Sequence, residues 1–216
     1  MKKFTLLFII ITLIFIQTTN AQIKKGSVFL GGNVGLSSYK TTSGGNTIHQ
    51  NSYNFSPVVG KATRENLITG IFFNAGFQKN YNLNPTATIK QQQYGAGVFV
   101  RRYKPLGKSD FLIFLQGDLG FSYSHWKSES PSPAIQTNKR YNVNAGVSPG
   151  ISYTASRRLQ IEMGFNSILS LGYSSETNKT SSSFPAESKM TGFYLYSSLN
   201  NATELNIGFR WLINKG

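Results

Sequence analysis

The residues with the most chemical promise are a few charges set inside otherwise uncharged, alternating segments. Arg101, Asp118, Glu162 and Arg210 each fall on the polar side of a two-residue alternation. In a strand that parity puts them on one face. Four such charges could form an ion-pair plug or a selectivity ring in an enclosed space. A structural plug is the expectation, because narrow barrels have interiors filled by side chains. Arg102 has the opposite parity and is expected to lay its stem along an apolar surface.

Catalytic chemistry has less support. There are two histidines, His49 and His125, and no cysteine. Ser124 and His125 are adjacent, so in a strand they point to opposite faces and cannot pair there. An acid would have to come from Asp118 or Glu129, and no other serine is marked out. A catalytic role is therefore not expected, and the pattern calls for no metal or cofactor. Without cysteine, a disulfide framework and thiolate-ligated metals are excluded.

The elements that position these residues are strands. Residues 159–173, LQIEMGFNSILSLGY, alternate Leu159, Ile161, Met163, Phe165, Leu169, Leu171 and Tyr173 against Gln160, Glu162, Gly164, Asn166, Ser170 and Gly172. Residues 141–154 repeat the pattern, from Tyr141 and Val143 to Ile151 and Tyr153. Weaker versions begin at Val28, Tyr53, Leu67, Tyr94, Phe111 and Leu205, giving eight predicted segments. Three connections are short, around 61–66, 104–110 and 155–158. Four are long and rich in Ser, Thr, Asn and Gly, around 40–51, 80–90, 126–139 and 174–190. This alternation predicts an all-β, eight-stranded, antiparallel up-and-down barrel with long loops on one side. The stretch 191–213 exceeds one membrane crossing, so Gly192–Leu199 is read as an outer extension, with a bend near Asn200–Thr203.

The apolar faces are expected to meet lipid. Tyr53, Tyr94, Tyr123, Tyr141 and Tyr173 sit near the long-loop ends, and Trp211, Tyr153 and Phe111 near the short turns. Two aromatic girdles around an aliphatic band suit two membrane interfaces. A soluble β-sandwich is the competing fold. It explains the alternation but not the girdles or the scarcity of charge inside the segments.

Composition agrees. The 216 residues are 39% hydrophobic and only 14% charged, so polarity comes from uncharged side chains and glycine. Residues 1–21, MKKFTLLFIIITLIFIQTTNA, read as a secretory signal peptide with a basic start, an apolar run and a small-residue cleavage site. Residues 22–216 are then the barrel domain. Cleavage would remove Lys2 and Lys3, taking the net charge from +14 to +12. Export argues against nucleic acid as the partner of that charge.

The leader ending in NAQ, the first strand GGNVGLSS and the closing ELNIGFRWLI resemble the small outer-membrane β-barrel domain proteins of Bacteroidota. The chain is also broadly similar to eight-stranded barrels of the OmpX and OmpA-transmembrane type. The resemblance spans roughly Gly26 to Ile213 and implies an outer-membrane location and a monomer. Many such barrels end on an aromatic residue, whereas here Trp211 is followed by Leu-Ile-Asn-Lys-Gly.

The functional expectation is a structural or surface-interaction protein of the bacterial envelope, without catalysis. The alternatives are a narrow pore for small solutes and a barrel-embedded lipid-modifying enzyme. Expected partners are outer-membrane lipids. Lys40, Lys79, Lys90, Lys127, Lys139, Arg140, Lys179 and Lys189 near the long-loop ends could meet the phosphates of lipopolysaccharide, or form an ordinary solvated surface.

Overall fold

The computed structural model describes residues 23–43, 46–83, 86–129, 135–156, 158–165, 167–181, 185–197 and 205–213. The leader expected over 1–21 and the bend expected near 200–203 lie outside them. The described residues form ten strands and no helix: β1 (Val28–Ser43), β2 (Asn46–Arg64), β3 (Leu67–Leu83), β4 (Thr86–Pro105), β5 (Phe111–Glu129), β6 (Ile135–Thr154), β7 (Leu159–Phe165), β8 (Leu169–Ser181), β9 (Ala186–Ser197) and β10 (Leu205–Ile213). All pairings are antiparallel. β1 to β6 pair in sequence, β6 pairs with β7, β7 with β10, and β10 with β1, so eight strands close a ring at the short-turn end. Above it, β8 continues the line of β7 and pairs with the upper part of β6, while β9 pairs with β8.

Two sequence expectations change. Residues 159–173 are not one strand. Between the pairs Val147↔Leu169 and Gly150↔Gly164, β6 spends two residues where its neighbour spends four. The excess is even, so the faces keep their parity. Pro149 sits on β6 at this break, where a residue without an N–H is tolerated. Ser167, within the break, reaches Ser148 at 3.1 Å between hydroxyl oxygens.

The four long connections are also mostly strand. β1 runs to Ser43 and β2 restarts at Asn46; β3 runs to Leu83 and β4 restarts at Thr86. A Ser, Thr and Asn composition reads as loop, yet here these side chains hold the hairpins. Ser37 and Ser52 hydroxyls lie 2.6 Å apart, Ser38 donates to Asn51 at 2.7 Å, and Asn138 donates to Asn178 at 2.6 Å. Such cross-strand pairs are the unit of sheet stabilisation.

The hydrophobic pattern is inverted relative to a water-soluble fold. Large apolar residues such as Phe55, Phe73, Val98, Leu119 and Leu171 lie exposed on the outer face. The buried apolar cluster is small and lies inside the short-turn end: Ile23, Phe29, Ala62, Ile68, Phe99, Tyr103, Leu112, Phe114 and Leu212. The segment before β1 closes onto it. Ile23 N–H donates to Asn66 Oδ1 at 3.0 Å, Asn66 N–H donates to the Ile23 carbonyl at 3.0 Å, and Gly26 N–H donates to the Ala62 carbonyl at 2.8 Å. Asn66 turns the β2–β3 hairpin at φ 57°, a left-handed conformation asparagine tolerates better than most residues. Glycine is needed at Gly150, where any Cβ would meet the Phe114 ring and the Met163 carbonyl.

Candidate functional site

Three strands deliver charge or a hydroxyl to one place in the lumen. Arg101 and Tyr103 come from β4, Glu162 from β7 and Arg210 from β10. All four side chains are buried. Arg101 Nη1 donates to both Glu162 oxygens, at 2.8 and 2.6 Å. The Tyr103 hydroxyl donates to Glu162 Oε1 at 2.6 Å and accepts from Arg101 Nη1 at 3.0 Å. Arg101 Nε and Nη2 donate to Gln116 Oε1 at 2.9 and 2.6 Å. Arg210 Nε lies 3.0 Å from Glu162 Oε2, within ion-pair distance but off the hydrogen-bond direction. Arg210 Nη1 donates to the carbonyls of Gly32 and Phe209, at 3.2 and 3.0 Å.

β4 and β7 are separated in the ring by β5 and β6, so the Arg101–Glu162 pair bridges the lumen rather than neighbouring strands. The guanidinium of Arg101 lies 4.4 Å from the Phe114 ring centre and 5.3 Å from that of Phe29. Arg210 lies 5.7 Å from Phe29. The cluster therefore rests on the apolar layer below it and gains cation–π attraction there. Gly31 leaves room for the Arg210 stem, which a Cβ would strike.

Sequence parity did not single out Tyr103, Gln116, Phe29 or Phe114. Gln116 could have been found from pairing, since it sits opposite Arg101. Asp118 touches the cluster only at its edge, through a side-chain hydrogen bond with Gln116. It lines the cavity of about 360 Å³ directly above, together with Asn33, Asn74, Ser148 and Ser167.

The aromatic residues fall in two levels. Tyr94 is opposite Tyr123, and Tyr123 opposite Tyr141, with ring centres 5.1 Å apart in the second pair. Tyr53 sits opposite Phe77, which packs on Tyr94 at 5.7 Å, and Tyr173 packs on Phe193 at 4.9 Å. At the short-turn end, Phe111 packs on Tyr153 at 5.0 Å, and Trp211 is exposed on the outer face of β10. About twelve residues separate Tyr141 from Tyr153. At about 3.3 Å per residue and a tilt near 45°, the levels stand about 28 Å apart, close to a bilayer's hydrocarbon thickness.

His125 and Ser124 lie on opposite faces of β5, where Ser124 is opposite Arg140 and His125 opposite Lys139. No group of three or more metal-ligating side chains occurs among the described residues.

No protein-family model matches this chain, and no curated protein does. Among solved structures, it matches the crystal structure of a major outer membrane protein from Thermus thermophilus, with a TM-score of 0.51. The match covers 87% of this chain and 99% of that one, at 10% sequence identity. The chain shares the barrel fold of an outer-membrane protein. At that identity the likeness rests on strand arrangement, not on shared side chains.

Proposed function

We propose that this protein is a plugged outer-membrane barrel with a structural or surface-interaction role, presenting long hairpins outside the cell and doing no catalysis. One observation carries the reading. A closed ring turns its apolar residues outward between two aromatic levels and fills its own lumen at one end. Burying that outer face in lipid removes the unfavourable contact with water that a soluble chain would suffer. The short-turn end is then periplasmic. The apolar layer and the Arg101–Glu162–Arg210 cluster act as the plug.

The partner on the outside is the anionic surface of the outer leaflet, with lipopolysaccharide phosphates as the expected chemistry. Lys79 sits directly opposite Lys90, and Lys90 opposite Lys127, with the parity of the outward tyrosines below them. Like charges in direct opposition are unfavourable. Glu129 partly compensates, at 3.4 Å from Lys90 and 2.8 Å from Lys127. An external phosphate would complete the compensation. Replacing Lys79, Lys90 and Lys127 together with alanine should reduce co-purifying lipopolysaccharide.

Membrane fractionation with a heat-modifiability gel tests the main reading. Recovery in the outer membrane and a heat-dependent mobility shift are expected, and a soluble protein overturns it. Planar-bilayer recording should show no steady conductance. If Glu162→Ala opened a conductance without loss of stability, the plug would be a gate. Lipid turnover equal to background, in the native protein and in His125→Ala, is the expected result for a non-enzyme.

A further inference from the structure

Among the described residues, the barrel wall has a seam. β1 pairs with β10 from Val28 to Gly32, where the ladder stops at Phe209. The same register would set Val34 opposite Ile207 and Leu36 opposite Leu205, but among the described residues no pairing joins them, nor β1 to β9. Exposure records the parting. Val34 is 71% exposed, Leu36 74% and Phe193 83%, whereas Phe209, where the ladder still holds, reaches 60%. Val34 and Leu36 lie within the apolar band, since Leu36 is opposite Tyr53 of the upper aromatic level. Unpaired backbone at that depth is strongly unfavourable against lipid unless it borders a cavity or is covered.

It borders a cavity. Asn33 on β1 and Gly208 on β10 both line the space above the ion cluster, and Arg210 forms part of its floor. Both guanidinium groups share the one Glu162 carboxylate, and all three side chains are buried. Asp118 lines the same cavity from β5, next to β4, where it bonds to Gln116, the partner of Arg101, and no ion pair joins it to Arg210 among the described residues. Arg210 donates to the carbonyls of Gly32 and Phe209, where the ladder ends. The less compensated guanidinium, that of Arg210, therefore lies at the foot of the seam, beside an apolar edge. A buried cation favours an anionic partner.

We propose that this cavity binds the head of a long-chain carboxylate that enters sideways from the outer leaflet, with its tail lying along Val34, Leu36 and Ile207. Arg210 meets the carboxylate, and the tail never has to leave lipid. The proposal rests on the membrane placement argued above. Heat-modifiable insertion into phosphatidylcholine vesicles is therefore checked first. Absence of insertion defeats the placement, whereas insertion without the quenching pattern below defeats only this site.

The experiment compares a tryptophan at the seam with one on the far wall, in Val34→Trp and Val98→Trp, both lipid-facing positions, each in a background with Trp126→Phe and Trp211→Phe so that one tryptophan reports. Dibromostearate is titrated into the vesicles, with brominated phosphatidylcholine as the neutral control. The seam tryptophan should be quenched at a mole fraction roughly tenfold lower than the far-wall one, as expected for a charge-assisted contact. Brominated phosphatidylcholine should quench both alike. Arg210→Gln in the Val34→Trp background should remove the preference. A brominated alkyltrimethylammonium should show none. Equal quenching of seam and far wall by dibromostearate overturns the site and means the edges are covered by the chain itself. A preference that survives Arg210→Gln in folded protein, or is shared by the cationic amphiphile, overturns the carboxylate assignment. If Arg210→Gln does not fold, the comparison of anionic with cationic amphiphile in the Val34→Trp protein decides.

Discussion

The two ends of this barrel are built on different principles. At the short-turn end the ring of eight is complete, apolar side chains fill the lumen, and Glu162 is held by Arg101, Tyr103 and Arg210. At the hairpin end the wall is carried by β1 to β6 with β8 and β9, the facing edges of β1 and β9 are unpaired among the described residues, and inner contacts such as Ser37–Ser52 and Asn138–Asn178 are polar. Stability should therefore be concentrated below and adaptability above, as sub-global opening energies commonly are. A ligand-accessible slot can exist only where the ring is not closed.

The largest effect expected from this contrast follows Glu162→Ala. It leaves two buried guanidinium groups without their carboxylate, and breaking a buried pair costs about 3–5 kcal/mol. Urea-dependent unfolding of vesicle-inserted protein should show the loss. A stability change as small as that of a surface substitution would mean water fills the site and the lower end is not a packed plug.

Gly150→Val comes next. The new side chain would meet Phe114, a wall of the plug, so overpacking of about 1–3 kcal/mol is expected. Gly192→Val on β9 has open space around its Cβ and should be nearly silent. Comparing the two unfolding midpoints tests whether tight packing belongs to one end alone. Equal costs would erase the distinction.

A smaller effect is expected at the hairpins. Ser38→Ala removes the exposed hydrogen bond to Asn51 and should cost about 0.5 kcal/mol, near the low end for such bonds. Protease resistance of the β1–β2 hairpin reads it more sensitively than global unfolding.

Much of this was legible in the sequence, and the gaps have causes. Parity in 141–154 and 159–173 assigns outward and inward residues, because a strand's faces alternate whatever its neighbours. It places Arg101, Glu162 and Arg210 on the inner face. It does not mark the apolar layer under them, since Phe29, Phe99, Leu112 and Phe114 share the polar side's parity and dilute the alternation. The break between β7 and β8 is hidden because an even excess leaves the pattern intact. The hairpin extensions are hidden because Thr and Ser serve both loops and paired strands. The seam depends on pairing between the first and last segments, which local patterning does not encode.

The finest test concerns Glu129, on an exposed hairpin beyond the upper aromatic level. Hydrogen bonding and charge from Lys127, with Lys90 adding to them, hold its carboxyl below the ordinary carboxylate value. The folded value is the depressed one, so the contact contributes fully above the unfolded carboxylate pKa and is lost as pH falls through the folded pKa. An NMR titration of the Glu129 side chain should show the depression. Lys127→Ala should return most of it, and about 1 M salt should screen the remainder, the Debye length there being about 3 Å. Global unfolding should barely register any of this, because exposed pairs contribute little. If acidification to that range instead unfolded the whole barrel, the hairpins would carry the fold, and the division between a rigid lower end and an adaptable upper one would be wrong.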